Sequence, residues 1–347
     1  MPQPTTDQGV QAPSTCPADH RSHAVDVPSR GTVAIQADLV LAGYLREAVR
    51  DVGRADPVAD GGGQQLRLIG PDPTSQGLPD AVLRVADRRR TARSGADDAF
   101  LDHLLTTQAG TLRVYLPPDA NCLLAVVDRC LRSRADVNLV VAGKQPLPQW
   151  LTLAEAEVHC AAGIGAWGWA SNDHDGEPDA VLACCGDSPT LEVLAAASIL
   201  HEHLPEVRIR VVNVVDLMTL QSEADHPHGL SDAAYDALFT ADRPVVFAFH
   251  GHPWWVHRLI HRRPHRSLHV CGRIDEGPVT TPFDGRVRNR WDRFHLVQAV
   301  VDRLPELGAS GARLRALMAD SLLAHAPFVT RYGLDLPEVR EWTWARP

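Results

Sequence analysis

The feature that most constrains this fold is an alternation of short apolar runs with helix-like segments, which begins at residue 112. The apolar runs are rich in β-branched residues and cover residues 112–116, 137–142, 180–184, 209–215 and 245–249. The helix-like segments between them cover residues 121–131, 190–203, 232–239 and 254–261. Strands that are apolar almost throughout are typical of sheets covered on both faces. The pattern therefore predicts an α/β fold with mostly parallel sheets and helices on both faces.

The flanking regions follow other patterns. Residues 1–30 are rich in Pro, Thr, Gln, Asp and Ser, which predicts a disordered tail. Apolar residues recur at helical spacing from Gln36 to Val52, which predicts an amphipathic helix. The glycine-rich stretch from Gly53 to Gln65 is typical of a flexible connector. Beyond residue 285 the pattern is helical, at residues 293–304, 312–325 and 336–342.

An interruption near residues 145–175 predicts a domain boundary. Prolines, glycines and the polar run 171–175 break the regular pattern there. We expect two α/β domains, residues 31–150 and residues 151–347, of which the first is smaller.

Charge and cysteine content narrow the functional classes. The formal net charge of −9 disfavours a nucleic-acid partner. The short basic runs at residues 88–90 and 262–266 leave open a solvated face or a site for an acidic group. Seven cysteines without a C-x-x-C pair are typical of a reducing compartment. With no apolar stretch near the length of a membrane span and no signal-peptide pattern, we expect a soluble, cytoplasmic protein.

A glycine motif and several histidine pairs suggest sites but lack the required context. Residues 163–168 read G-x-G-x-x-G, yet they follow a helix-like segment rather than a strand, which favours a turn and packing role over a dinucleotide site. His201 and His203 are two apart on a predicted helix and should point to different faces. Neither this pair nor His250 with His252 has the spacing of a metal site, so we expect no metal ligands.

Two residues stand where ligands gather in parallel sheets, beyond the carboxyl ends of strands. Lys144 follows the strand at 137–142 beside Gly143, where it is either an anion-binding group or a surface lysine. His250 follows the strand at 245–249, where it is either a site residue or a hydrogen-bonded structural histidine. Both are candidate binding residues.

Long strings from Leu112 to the C-terminus resemble the phosphoketolase family. They are RVYLPPDAN at 113–121, VAGKQP at 141–146, PQWL at 148–151, VVNVVDLM at 211–218, HPHGLS at 226–231, FAFHG at 247–251, TTPFD at 280–284 and DRFHL at 292–296. A weaker resemblance covers residues 25–90. The sequence is identified on these strings as a member of that family.

The resemblance implies a transketolase-like enzyme with thiamine diphosphate and Mg²⁺. Phosphoketolases cleave xylulose 5-phosphate or fructose 6-phosphate with inorganic phosphate and release acetyl phosphate. Their three α/β domains imply that residues 31–150 are a shortened pyrimidine-type domain and residues 151–347 the C-terminal domain. The family's active site lies between the first two domains of different subunits in a dimer.

The sequence departs from the family pattern in three places. The domain that carries the diphosphate and metal site has no counterpart. Thr91 to Thr111 stands in place of a longer segment with the cofactor-activating glutamate and substrate histidines. Gln76 and Leu78 occupy the positions of the serine and arginine that hold the substrate phosphate, and leucine cannot replace a bidentate guanidinium. Only Lys144 matches a residue that reaches the sugar phosphate in the family. With His250, it is the candidate for a residual substrate-phosphate site.

These departures lead to two hypotheses. The first is a non-catalytic pseudoenzyme or subunit that binds no cofactor by itself and pairs with full-length phosphoketolase or with itself. Sugar phosphate would then bind only if a partner completes the site, and we expect no nucleic-acid or membrane partner. The alternative is a functional phosphoketolase-type aldehyde-lyase of carbohydrate metabolism, as part of a split or hetero-oligomeric thiamine diphosphate enzyme.

Overall fold

A computed structural model describes the strands at residues 34–37, 64–65 and 81–86 and then residues 110–133, 137–143, 148–174, 176–263, 267–274 and 281–344. The predicted tail lies outside the described residues. The strands are β1 Ala34–Ala37, β2 Gln64–Gln65, β3 Ala81–Ala86, β4 Leu112–Tyr115, β5 Val137–Gly143, β6 Ile164–Ala166, β7 Ala180–Cys185, β8 Ile209–Val214, β9 Val245–Phe249 and β10 Leu268–Cys271. The helices are α1 Ala120–Arg132, α2 Leu153–Ala162, α3 Asp187–His203, α4 Asp232–Phe239, α5 Pro253–Leu259, α6 Pro282–Arg288, α7 Arg293–Val301, α8 Gly308–Tyr332 and α9 Pro337–Arg340.

The first sheet has the order β2-β1-β3-β5-β4. Strand β3 pairs in parallel with β5 over its whole length, from Ala81 opposite Asn138 to Ala86 opposite Gly143. Strand β1 is parallel to β3, and β4 is parallel to β5, whereas β1 and β2 are antiparallel. The sheet is therefore continuous from β3 to β4, with residues 87–111 as the connection between these two strands.

The second sheet has the order β10-β9-β7-β8-β6, and all its pairs are parallel except β6 with β8. Leu182 and Cys184 of β7 point into a core shared with α3 and α7, whereas Val181 and Ala183 point into a core shared with α4 and α5. The whole of β7 is buried because helices cover both faces, and this explains why its sequence is an unbroken apolar run. The predicted α/β class with mostly parallel sheets is confirmed.

The two sheets meet at strand β4. The backbone N–H of Leu116, just beyond β4, donates to the carbonyl of Val215 at 2.7 Å, and Gly186 N–H donates to the Leu116 carbonyl at 3.1 Å. Leu112 and Val114 are buried in the core that also contains β7 and β8. Although β4 is an edge strand of the first sheet, its apolar side chains are therefore covered rather than exposed. The division into two domains near residue 150 stays a prediction.

The structure corrects several local predictions. Gln36, taken as the start of a helix, lies in β1, because residues 34 and 35 pair in parallel with β3; residues 38–52 lie outside the described residues. Gln64–Gln65, taken as part of a connector, forms β2. Strands β6 and β10 were not predicted, since each is short and interrupted by glycine or histidine. No helix in the described part of the chain is long and apolar enough to cross a membrane.

Candidate functional site

The carboxyl ends of the strands are where the sequence placed its candidate ligands. Lys144 follows β5 and lies outside the described residues. His250 follows β9 directly, as predicted, and is half-buried. The structure therefore locates one of the two candidates at a strand end, and the phosphate-binding role of both stays a prediction.

The His250 ring lies against the turn that ends β7. Gly186 has φ +85°, a left-handed backbone that favours glycine, and a Cβ at this position would lie 3.2 Å from His250 Nδ1. The ring also contacts Phe249, with centroids 5.3 Å apart. Glycine at residue 186 thus permits both the turn and the close approach of the imidazole, so the ends of β7 and β9 form one local site.

A line of buried polar groups leads to this turn from the other side of β7. His159 Nε2 and Asn213 Oδ1 are 2.9 Å apart, and Asn213 Nδ2 donates to Thr190 Oγ1 at 3.0 Å. Thr190 Oγ1 in turn donates to the Gly186 carbonyl at 2.6 Å. Burial lowers the pKa of His159 despite its bond to Asn213, so the ring is neutral at neutral pH. The line fixes the Gly186 turn rather than supplying a base.

An ion pair between Arg113 and Asp216 lies where the two sheets meet. Arg113 Nε donates to Asp216 Oδ2 at 2.9 Å, and Asp216 Oδ1 accepts from the backbone N–H of Met218 at 2.9 Å. Asp216 is fully buried and Arg113 nearly so. Because each charge is neutralised inside the chain, this pair holds the sheets together and leaves little charge for a ligand.

His226 is buried beside this ion pair. Its Nδ1 accepts from the backbone N–H of His228 at 3.2 Å. Burial lowers the pKa of His226, and the negative charge of Asp216 opposes the shift only in part. The imidazole is therefore neutral at neutral pH. It belongs to the matched string at residues 226–231, yet sequence reasoning assigned it no role.

The buried thiols are poor nucleophiles. Burial raises the pKa of Cys184 to about 11 and that of Cys271 to about 12. A thiol with so high a pKa stays protonated at neutral pH and does not attack a carbonyl. Covalent catalysis by either cysteine does not fit this environment.

The described residues do not form a site for the metal and cofactor that the family resemblance implies. Over the described ranges, no three His, Cys, Asp or Glu side chains converge in a way that could hold a metal ion. The strand ends instead present the half-buried His250 and the neutralised Asp216, and helix α2 contributes the neutral His159. This donor set does not fit Mg²⁺ with a diphosphate, which requires several oxygen ligands.

The glycine motif at residues 163–168 has the turn role that its context predicted. Gly163 ends helix α2 with φ +77° and is followed by β6. A Cβ at Gly165 would lie 3.2 Å from His159 Nδ1, so this glycine makes room for the histidine ring. The motif therefore links a helix to a strand, the reverse of the order that places a phosphate on a helix N-terminus.

Sequence reasoning missed the residues that fasten this region. Arg113 and Asp216 are 103 residues apart, so no local pattern pairs them. The available signal was that each lies within a family-matched string, at residues 113–121 and 211–218. His159 carried no signal, because its partner Asn213 is known only from the fold.

Two family models match the chain. The XFP C-terminal domain model matches residues 144–344, and the D-xylulose 5-phosphate/D-fructose 6-phosphate phosphoketolase model matches residues 91–133. The second match begins at residue 91, so the strong resemblance extends further towards the N-terminus than the start at Leu112 that the strings suggested.

Curated relatives match over nearly three quarters of the chain. A probable phosphoketolase of Nitrosomonas europaea is 59% identical over 255 residues, which are 73% of this chain and 32% of that protein. A probable phosphoketolase of Rhodopirellula baltica is 59% identical over 250 residues, 72% of this chain and 32% of that protein. The chain thus spans about a third of the length of the curated relatives it matches.

Solved structures of transketolases show a lower similarity. The transketolase of Leishmania mexicana aligns with a TM-score of 0.47 at 15% identity, over 66% of this chain and 31% of that chain.

Proposed function

Because this chain belongs to the phosphoketolase family, with its C-terminal domain covered by the family model, we propose that it is a non-catalytic member that acts as a pseudoenzyme or subunit. The activity of the parent family is the phosphate-dependent cleavage of xylulose 5-phosphate or fructose 6-phosphate. In this proposal the chain does not perform that cleavage by itself.

The continuity of the first sheet is the observation that carries the proposal. Strand β3 pairs directly with β5, and β4 lies on the other side of β5, so residues 87–111 are the only chain between β3 and β4. In the family this interval is longer and holds the activating glutamate and the substrate histidines. A sheet that closes over a short connection supports the loss of that segment rather than its replacement.

The substitutions at the phosphate-binding positions agree with this proposal. Gln76 and Leu78 stand where the family has the serine and arginine that hold the substrate phosphate. Lys144 is then the matching cation, and a single lysine binds phosphate weakly without bidentate partners. Thiamine diphosphate and Mg²⁺ would belong to the parent enzymes and not to this chain alone.

The partner in this proposal is full-length phosphoketolase or a second copy of the chain. The family's active site is shared between subunits, so a paired chain can alter a partner's site without catalysing the reaction. We propose a cytoplasmic location, since the six described cysteines are thiols rather than disulfides, as a reducing compartment favours.

A direct assay tests the proposal. The purified chain is mixed with thiamine diphosphate, Mg²⁺, inorganic phosphate and fructose 6-phosphate or xylulose 5-phosphate, and acetyl phosphate is measured. We expect no product above the blank, with a full-length phosphoketolase as the positive control. Turnover by the chain alone would overturn the proposal.

Two further measurements test separately the lack of a cofactor site and the identity of the partner. Calorimetric titration with thiamine diphosphate should show no saturable binding, and a micromolar dissociation constant, about −8 kcal/mol, would contradict the lack of a cofactor site. Co-expression with a full-length phosphoketolase tests the partner. Co-purification of the two chains supports the subunit role, whereas product that forms only when this chain is mixed with a separate chain carrying the cofactor domain would favour the split-enzyme alternative.

A further inference from the structure

The loop at residues 221–231, between β8 and α4, lies against the start of β4. We call residues 226–228 the loop tip. A Cβ placed on Gly110, two residues before β4, would lie 3.5 Å from Pro227 Cδ, so the tip is in van der Waals contact with the chain that enters this strand. Because β4 is an edge strand of the first sheet, the loop stands where proteins commonly protect an open edge.

A buried arginine fixes the base of the loop. Arg263 Nη2 donates to the Leu230 carbonyl at 2.7 Å and also to the Gln221 carbonyl. The backbone N–H of Leu230 donates to the Gln221 carbonyl at 3.0 Å, which joins the two arms of the loop. The charge of Arg263 is balanced by Asp232 at 2.6 Å. None of these bonds involves a histidine, so the base stays closed when the tip changes its protonation state.

The ring of His226 shapes the tip. His226 Nδ1 accepts from the backbone N–H of His228 at 3.2 Å, and the His226 carbonyl accepts from the Gly229 N–H at 2.8 Å. His226 is buried, with 3% of its surface exposed. An imidazole whose Nδ1 accepts a hydrogen bond carries its proton on Nε2 and is neutral. A second proton would bind Nδ1, where it faces the N–H of His228 and abolishes that bond.

The surroundings of His226 oppose a positive charge. Burial lowers its pKa, and the charges of His228 and Arg113 add to this effect, whereas the carboxylate of Asp216 opposes it. Among the described residues, these three are the titratable or charged groups that act on the ring, from the tip itself, from β4 and from the turn after β8. Burial outweighs the attraction of Asp216, so the pKa of His226 stays below its usual range while the tip is in place.

We propose that the loop tip is an acid-released cover of the start of β4. Protonation of His226 Nδ1 breaks the bond to the His228 N–H and leaves a positive charge buried without a hydrogen-bonded counter-ion. The tip then leaves Gly110, while the base remains closed. The start of the edge strand β4 becomes open to solvent and to another strand. This device does not depend on the proposed lack of catalytic activity, because it uses none of the residues at the strand ends of the second sheet.

The direction of the pH dependence follows from the two states of the tip. A released tip has an ordinary histidine, which binds a proton below about pH 6.5, whereas the tip in place binds one only at a lower pH. The tip is therefore most stable above pH 6.5, and its release becomes easier by up to about tenfold per pH unit as the pH falls towards the lower value. Between pH 7 and pH 5.5 we expect the release equilibrium to rise about fivefold to tenfold.

Hydrogen–deuterium exchange of the full chain at these two pH values tests the release. Protection factors, which remove the intrinsic pH dependence of exchange, should fall by the same five- to tenfold for the amides of residues 226–229. The amide of Leu230 at the base should keep its protection. The amides of Val245–Phe249 in β9 should also keep theirs, since they respond only to unfolding of the second sheet.

A pair of variants in the tip isolates the responsible histidine. His226→Asn removes the proton site and keeps an amide oxygen at the position of Nδ1, so the tip should be equally protected at both pH values. The control His228→Asn keeps the backbone N–H of residue 228 and should retain the pH response. A response that survives in His226→Asn, or an equal loss of protection in β9, would overturn the proposal.

The ring titration of His226 in the unmodified protein gives a test that no variant can confuse. Its NMR ring resonances should show the proton on Nε2 at pH 7 and a pKa below the ordinary value of about 6.5. A pKa at or above that value, or a proton on Nδ1 at neutral pH, rejects the acid-released cover.

Discussion

Two buried ionic sites connect different elements of the molecule, and they differ in the number of arginines that each carboxylate contacts. Arg113 and Asp216 join the first sheet to the second as one guanidinium with one carboxylate. Glu192 joins α3 to α6 and α7, where it accepts from both Arg286 and Arg293. The junction is thus as deeply buried as the interior of the second half, and we expect residues 110–344 to unfold as one unit.

The interior site should be the more sensitive of the two. Burial alone would raise the pKa of Glu192, but Arg293 and Arg286 hold it below its usual range, so the residue is a carboxylate. Glu192→Gln leaves two buried arginines without a counter-charge. We expect the free energy of unfolding, measured by urea denaturation, to fall by about 3–5 kcal/mol.

Glu202→Gln is the matched control for that variant. Glu202 lies on the same helix but is exposed, so its neutralisation should leave the urea midpoint nearly unchanged. Equal losses from the two substitutions would show that the Glu192 cluster contributes no specific stability.

Breaking the junction pair should cost less, since it leaves one uncompensated charge. Arg113→Met strands the buried Asp216 carboxylate and should lower the free energy of unfolding by about 3 kcal/mol. Adding Asp216→Asn should restore part of that loss, because the uncompensated carboxylate is gone. Both unfolding curves should retain one transition. Two transitions in the single variant would mean that the halves are separate domains joined by a weak interface.

The smallest expected effect concerns the end of α8. Burial alone would raise the pKa of Asp335, but hydrogen bonds from His325 and Thr281 outweigh it and hold the pKa below the usual range. Its stabilisation is therefore complete above the unfolded pKa near 4 and is lost as the pH falls through the lower folded value. Asp335→Asn should lower the free energy of unfolding by about 1–2 kcal/mol at pH 7.

The pH profile distinguishes this mechanism from a general packing loss. The difference between wild type and Asp335→Asn should shrink between about pH 5 and pH 2, followed by urea denaturation at each pH. Asp320→Asn, at an exposed position of the same helix, should reproduce the wild-type profile. A constant difference at all pH values would assign the effect to packing.

The sequence predicted the second sheet better than the first, for a physical reason. Strand β9 coincides with the predicted run at 245–249, because a strand covered on both faces is apolar at every position. Strand β10 was missed, since its four residues include His269 at a half-covered edge. Gln36 was assigned to a helix because helical spacing and strand pairing cannot be told apart over a few residues.

The candidate site was also predicted only where a local sequence pattern existed. Position alone placed His250 at a strand end, since an apolar run has a visible end in the sequence. Partners such as Arg113 with Asp216 depend on how the sheets dock, and nothing local encodes that contact.

Because the cysteines are buried, their chemical modification measures local unfolding of the molecule. All six cysteines of the described region, from Cys122 to Cys271, are buried thiols. A thiol-specific reagent therefore modifies each one only when the surrounding structure opens, at a rate set by the free energy of that opening. Cys122 lies on α1, the helix that follows β4, and Cys271 lies on β10 at the edge of the second sheet. Mass spectrometry would show which of the two is modified first, and therefore which of the two regions unfolds first.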